Sequence, residues 1–298
     1  MQVIAIDIGY GDTKVITENR HFKFPTAIEW EQESFADFEE SSLDTYEFKG
    51  KRYVVGQKAV DRAITTRGFN FLVKYTPLLA YHSIKEAKLN LDEPIKLITG
   101  ISIQNWSDRD EFRKSLETIV VDDKVIKPEV VIVAQGRGVY EDFTEDKNGI
   151  VCVVDIGYNT LDFLVFNDGV AKPNLSFATK QGANIVITQL QAKMSKKFGA
   201  DISEQIAKQI FNDGYFVNFG SKVDMSDEIE DSKRYYIEFI AEEIKSRQEE
   251  ILRKALKVIF SGGGAYFCEN IELPKNAVFS KKPYEFANVR GYYAIGKE

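Results

Sequence analysis

Apolar residues gather along this chain in short β-branched runs and read as strands more often than as helices. Residues 2–7 (Gln-Val-Ile-Ala-Ile-Asp) are nearly unbroken in apolar character, the pattern of a strand buried on both faces. Residues 13–18 read as a second strand and 21–25 as a third or an edge. Residues 29–45 are rich in Glu, Asp and Ser around Trp30 and read as a surface excursion. Alternation over 46–55 predicts a hairpin about Lys49-Gly50-Lys51. A helix over 78–89, a strand over 95–99 ending in Gly100, a helix over 108–118 and a strand over 128–134 follow, the last running into Gln135-Gly136-Arg137-Gly138.

The second half repeats this plan. Residues 150–155, 161–166 and 170–172 read as consecutive strands, and 185–198 as an amphipathic helix with Ile187, Leu190, Met194 and Phe198 on one stripe and Gly199 as its stop. Asp201 and Glu204 have capping-box spacing before Ile206 and Ile210. Residues 227–257 predict one long helix or two, and 258–260 a strand running into Ser261-Gly262-Gly263-Gly264.

Within that plan one word occurs twice: Asp7-Ile8-Gly9-Tyr10 and Asp155-Ile156-Gly157-Tyr158, each after an apolar run and before another. This predicts a strand, a tight turn and a strand, built twice. Alone, the first turn reads equally as an ordinary hairpin with two glycines, since Gly and Asp favour turns generally. The second copy shifts the balance toward paired anion nests, in which glycine lets backbone N–H groups face phosphate. Gly9 and Gly11 would free the first backbone, Lys14 would reach the β- or γ-phosphate as a point charge, and Tyr10, Asp12 and Thr13 in the same segment are further candidates for cofactor binding, as Tyr158 is in the second. Asp155 would orient metal-bound or attacking water, and Gly157, Asn159 and Thr160 would donate to phosphate oxygens; Asp162 is open between a site role and the satisfaction of turn N–H groups. Gln135, at a strand end, suits the positioning of a hydrolytic water or is a surface residue. Gly262, Gly263 and Gly264 let a ligand approach the main chain at a helix start, or form a flexible turn.

Composition then removes alternatives. With 298 residues the chain is long enough for two lobes with full cores. A net charge of −7 argues against direct nucleic-acid binding. No apolar run approaches the roughly 20 residues that span a bilayer, and Asp7 and Asp12 interrupt any signal-like start. The two cysteines, Cys152 and Cys268, sit in or beside apolar runs and suggest no disulfide framework, which fits a cytoplasmic protein. The two histidines, His21 and His82, have no metal-ligand spacing and leave little from which to build a Ser-His-Asp triad or a zinc site.

The order of phosphate turn, Gln segment, second phosphate turn, Gly turn and a closing Phe286-Ala287-Asn288-Val289-Arg290-Gly291-Tyr292 helix resembles the actin and DnaK-type ATPase superfamily. Ile-Asp-Ile-Gly-Tyr-Gly-Asp-Thr-Lys is similar to the prokaryotic actin-like proteins of the ParM/StbA plasmid-segregation type and their archaeal relatives. The resemblance spans the chain in order, with residues 29–75 and 200–235 matching by position only. It implies an α/β bilobal ATPase of two ribonuclease-H-like lobes, with mixed sheets flanked by helices and the nucleotide between the lobes. Lobe I would be 1–149, with 29–75 as its small subdomain and the closing helix, about 286–298, packed back on it. Lobe II would be 150–285, with about 186–245 as its small subdomain. ATP or ADP with Mg²⁺ would be held from one lobe by Asp7, Gly9, Gly11 and Lys14 and from the other by Asp155, Gly157, Asn159 and Thr160, with Asp7 and Asp155 reaching the metal through water. Gln135 would fall at the water-positioning place, Gly262–Gly264 at the adenosine and Gly182 near the ribose or phosphates. Eukaryotic actins carry another acidic residue where this chain has Tyr158, so metal coordination need not match theirs.

Three functions share such a cradle. A filament-forming ATPase would assemble head to tail with itself and act on DNA through a DNA-binding adaptor, with no membrane involved. A small-molecule kinase is the alternative and needs a carboxylate aimed at a substrate hydroxyl. A chaperone needs a substrate region for which the motif order leaves no place, and a cluster-bearing activase needs more cysteines than Cys152 and Cys268. The filament ATPase is the expectation.

Overall fold

The chain divides into two compact units, Met1–Glu145 with Ser280–Glu298, and Asp146–Phe279. The structure, a computed structural model, describes residues 1–31, 45–64, 68–199 and 201–298; the excursion expected over 29–45 lies, from 32 to 44, outside the described residues. In the first unit β1 (Gln2–Ile8), β2 (Asp12–Ile16) and β3 (His21–Pro25) form an antiparallel meander, and β4 (Ile28–Trp30), β5 (Thr45–Phe48) and β6 (Lys51–Val55) a separate three-stranded sheet. Then come α1 (Phe69–Glu86), β7 (Ile95–Ile101), α2 (Arg109–Glu117), the hairpin β8 (Ile119–Val121) and β9 (Lys124–Ile126), β10 (Glu129–Ala134) and α3 (Arg137–Asp142). β7 pairs parallel to β1 and β10 parallel to β7, giving the order β10-β7-β1-β2-β3.

The second unit opens with the meander β11 (Ile150–Ile156), β12 (Leu161–Asn167) and β13 (Val170–Ala171), with β14 (Phe177–Thr179) also on β12. α4 (Asn184–Phe198), α5 (Glu204–Asp213), the hairpin β15 (Tyr215–Asn218) and β16 (Ser221–Asp224), and α6 (Ser226–Lys254) follow. β17 (Lys257–Ser261) then pairs parallel to β11, and β18 (Ala277–Phe279) parallel to β17. The order β13-β12-β11-β17-β18 repeats that of the first unit, a meander continued by two parallel strands. α7 (Ala287–Lys297) belongs to the first unit.

Period-2 alternation sorts β1 between two cores. Ile4, Ile6 and Ile8 join a cluster with α1 residues Leu78, Leu79 and Ile84, while Ala5 joins Ile98, Val133, Val289 and Tyr292 under α7. α7 lies very close to its neighbours: a Cβ on Gly291 would stand 1.9 Å from the Gly138 carbonyl oxygen, and one on Gly100 1.9 Å from the Tyr292 hydroxyl. The glycines are therefore what admits this helix.

Several elements differ from the sequence expectation. α1 starts at Phe69, ahead of the predicted 78, because its buried stripe of Phe71, Leu72, Tyr75, Leu78 and Leu79 runs through Pro77. β7 continues through Gly100 to Ile101, since the Tyr292 ring occupies the place of a side chain there. The helix expected over 108–118 is α2, and a 3₁₀ segment that was not expected, Ile103–Asp108, leads into it. Ser203, rather than Asp201, caps α5, its hydroxyl accepting from the Ile206 N–H at 3.2 Å. The hairpin β8–β9 turns on Asp122 and Asp123, both left-handed, a role sequence patterns assign first to Asn-Gly. α6 is one element interrupted at Gln248 (φ −140°, ψ 30°), whose side-chain amide Nε2 donates to the Leu175 carbonyl. After Gly262 the chain forms a 3₁₀ segment, Gly263–Cys268, so the helix expected to start there is a short 3₁₀ one.

Candidate functional site

In both units the repeated word folds into the same turn. The Gly9 N–H donates to the Asp12 carbonyl at 3.1 Å, and the Gly157 N–H to the Thr160 carbonyl at 2.9 Å. The flanking register is also the same: Ile8 pairs with Thr13 and Asp7 with Lys14, as Ile156 pairs with Leu161 and Asp155 with Asp162. The first N–H of each turn is thus committed to closing it. The N–H groups of Gly11, Tyr158 and Asn159 stand further along the turns.

The first unit brings three predicted residues together. Asp7 is 5% exposed at the end of β1. Lys14 Nζ lies 3.5 Å from its Oδ2, and Gln135 Nε2 donates to its Oδ1 at 3.3 Å. Gln135 is held from behind, its own N–H on the Ile101 carbonyl and the next N–H, of left-handed Gly136, on Asn288 Oδ1 at 2.8 Å. α7 is fixed in turn by Arg290, which makes a two-pronged pair with Asp142 at 2.7 to 2.9 Å and also donates to the Lys281 and Pro283 carbonyls. Asn288 and Arg290 were legible only as part of the closing-helix pattern, and nothing in the sequence tied Asn288 to Gly136. Asp12 and Thr13 take other work. Asp12 pairs with Lys23 at 3.3 Å, and burial, which opposes the Lys23 charge, is outweighed by Glu285 and Asp12, so its pKa rises. Thr13 is fully buried, its hydroxyl 2.9 Å from that of Thr26.

The second unit assembles its turn differently. Asp155 is 7% exposed and Asp162 only 1%, and they stand directly opposite each other, where the first unit has Asp7 and Lys14. Ser261 pairs with Asp155 from the other side. Gly262 and Gly264 serve packing: a Cβ on Gly262 would meet the Ile156 carbonyl oxygen at 2.4 Å and Asp155 Oδ1 at 2.6 Å, and one on Gly264 the Ile156 side chain at 2.1 Å. Gly263 faces open space. Gly182 presses on the turn itself, 2.3 Å from the Tyr158 carbonyl oxygen to its would-be Cβ, and the N–H groups of Ala183 and Asn184 donate to the Gly157 and Tyr158 carbonyls. It buttresses the turn. The tyrosines fold back on their own units: Tyr10 packs on the first core, and Tyr158 packs between α4 and α5 with its hydroxyl donating to Glu204 at 3.0 Å. Burial pushes the Tyr158 phenol up, against the pull of Lys208.

Each turn therefore offers a buried carboxylate beside an open loop of backbone donors, a construction suited to a phosphate chain with a hydrated metal. Two model matches divide the sequence in the same way. Residues 5–138 match the N-terminal domain of actin-like proteins, and residues 153–272 the C-terminal domain of the archaeal MreB-like actin homologues. The chain belongs to the actin-like proteins. No curated protein matches it in sequence. Among solved structures, the archaeal actin homologue Ta0583 superposes with a TM-score of 0.82 at 21% identity, covering 100% of this chain and 99% of that one. A ParM from a 15-stranded filament of Clostridium botulinum gives 0.80 at 19% identity, with 99% of each chain covered. The Alp12 filament subunit gives 0.69 at 22% identity, covering 99% and 98%. At these identities the likeness shows the actin-like fold, which is the α/β architecture of mixed sheets and flanking helices expected from the sequence.

Other chemistries find little support. Burial pushes both cysteine thiols up to about 12, so each is a neutral core thiol. Among the described residues, no group of three or more His, Cys, Asp or Glu is placed to hold a metal, and no helix is long and apolar enough to cross a membrane.

Proposed function

We propose that the chain is an actin-like ATPase that binds one ATP with Mg²⁺, assembles with copies of itself and hydrolyses the nucleotide upon assembly. The observation that carries this reading is the Asp-Gly turn built twice with one hydrogen bond and one register, with Gln135 held on the Asp7 carboxylate. Supporting it are the actin-like family membership and the solved ADP complex of Ta0583.

The roles follow from the side chains. Lys14 neutralises phosphate charge from the first unit, beside the N–H of Gly11. Tyr158, Asn159 and Thr160 line the second turn, and Gly263 leaves room for the nucleoside. Mg²⁺ commonly takes one or two carboxylates, waters and phosphate oxygens, so the absence of a three-ligand cluster does not count against Asp155 as its protein contact through water. That ion, when bound, screens the phosphate oxygens. Asp7, already engaged by Lys14 and Gln135, serves chiefly to orient them. With Nε2 on Asp7, the Gln135 amide oxygen is the end that accepts a hydrogen bond from an attacking water and so orients it. The net charge of −7 suits a filament that reaches DNA through an adaptor, in plasmid segregation or intracellular positioning.

Phosphate release should require Mg²⁺, need no alcohol acceptor, and rise more steeply than linearly with protein concentration. Strict dependence on a hydroxyl substrate that becomes phosphorylated would instead make the chain a kinase. Gln135→Ala should slow hydrolysis at least tenfold, about 1.4 kcal/mol in activation free energy, with ATP still bound and assemblies living longer. An unchanged rate in a stopped phosphate-release assay would leave Gln135 with no part in the chemistry.

A further inference from the structure

The β15–β16 hairpin carries an aromatic residue where chain geometry favours almost anything else. Asn218 pairs with Ser221, so the loop is Phe219-Gly220, with φ of 46° and 81°. Two left-handed residues define the turn that Asn-Gly usually makes, and a bulky residue in the first place is strained. Phe219 is also fully exposed. The hairpin beneath it is not loose. Phe216 and Val223 pack inward on the cluster of α4 and α5, Phe216 against Phe198 at 5.0 Å between ring centroids. Val217 lies on the outer side, 52% exposed. The ring is thus held out on an anchored arm, which spares the ordering entropy that a flexible contact would lose on binding.

The first unit carries a recess of matching chemistry. A cavity of about 460 Å³ is lined by Phe48, Val73, Pro77, Thr118 and Val120, with Lys49 at its edge. Val120 is 48% exposed, and Lys49 Nζ sits 5.1 Å from the Phe48 ring centroid. Such a site takes an aromatic side chain into its apolar part and offers the ring face a cation.

We propose that Phe219 of one copy enters this recess on the next copy. Knob and recess are different surfaces of one chain, so the contact is heterologous, and repetition extends it into an open polymer. The proposal rests on the self-assembly reading above and supplies a contact for it.

The test is the critical concentration for pelleting with ATP or a slowly hydrolysed analogue. Phe219→Asn places a residue that tolerates the left-handed turn, so its melting temperature should match or exceed that of the native chain. Its nucleotide affinity should be unchanged, and its critical concentration at least tenfold higher. Val120→Asp should raise the critical concentration as much. The double variant should rise no further than the worse single, because both remove one contact. Variants that pellet like the native chain, or single effects that multiply fully, overturn the contact while leaving assembly itself standing. Binding of native chain to anionic vesicles that Phe219→Asn abolishes, with pelleting unaffected, would give the ring to a membrane surface and equally overturn it. If the native chain fails to pellet with any nucleotide, the assembly reading falls and this contact with it.

Discussion

Asp155→Ala should stop ATP turnover and leave the fold in place. Asp155 stands at the end of β11 with Asp162 directly across and Ser261 on its other side. The same position across from Asp7 holds Lys14. Lys14 thus stands beside Asp7 in the first turn, and Asp162 holds the matching register position in the second. Asp155 stands near the end of β11 beside the turn and not among the apolar core residues, so the chain should still melt cooperatively. Losing the group that orients the metal shell should lower kcat by at least a hundredfold, about 2.7 kcal/mol. Single-turnover phosphate release beside a melting curve decides it: turnover within threefold of native, with native-like melting, returns Asp155 to a purely structural place in the sheet.

Gly291→Ala should be the most damaging single change to stability. Its methyl would stand 1.9 Å from the Gly138 carbonyl oxygen and 2.5 Å from the carbonyl carbon, both backbone atoms that no side-chain rotation can move. Overpacking a close-packed site costs about 1–3 kcal/mol, and a backbone-on-backbone clash belongs at the top of that range. Displacing α7 would also move Asn288 from the Gly136 N–H and so loosen Gln135. Urea denaturation followed by near-ultraviolet circular dichroism should show the loss of stability, and nucleotide hydrolysis should fall with it. A variant as stable as the native chain would mean that α7 sits further from α3 than described.

The repeated word was the most legible feature, because a strand, a tight turn and a strand are all local and Gly9 and Gly157 mark the turns directly. The strands of both meanders were readable for the same reason, each being a short apolar run between turn residues. What the sequence hid was set by distant contacts. Gly100 read as a strand end because the Tyr292 ring that fills its side-chain place lies far along the chain. Gly182, Gly262 and Gly264 looked like places for a ligand to approach, but the groups they admit are the backbone and side chains of residues 155–159. Thr13 stood among the cofactor-binding candidates, and its hydroxyl lies inward on that of Thr26. Phe219 gave no signal at all, since one more aromatic residue just after Tyr215 and Phe216 becomes informative only when its φ and its exposure are known.

The claim that both turns act on a single nucleotide is tested most directly by calorimetric titration of the chain with a slowly hydrolysed ATP analogue and Mg²⁺. Native protein should bind one nucleotide per chain, and Lys14→Ala in the first turn and Asp155→Ala in the second should each weaken that single binding event at least tenfold while the chain still melts cooperatively. Two nucleotides bound per chain, or one turn variant that binds as tightly as native, would contradict the account.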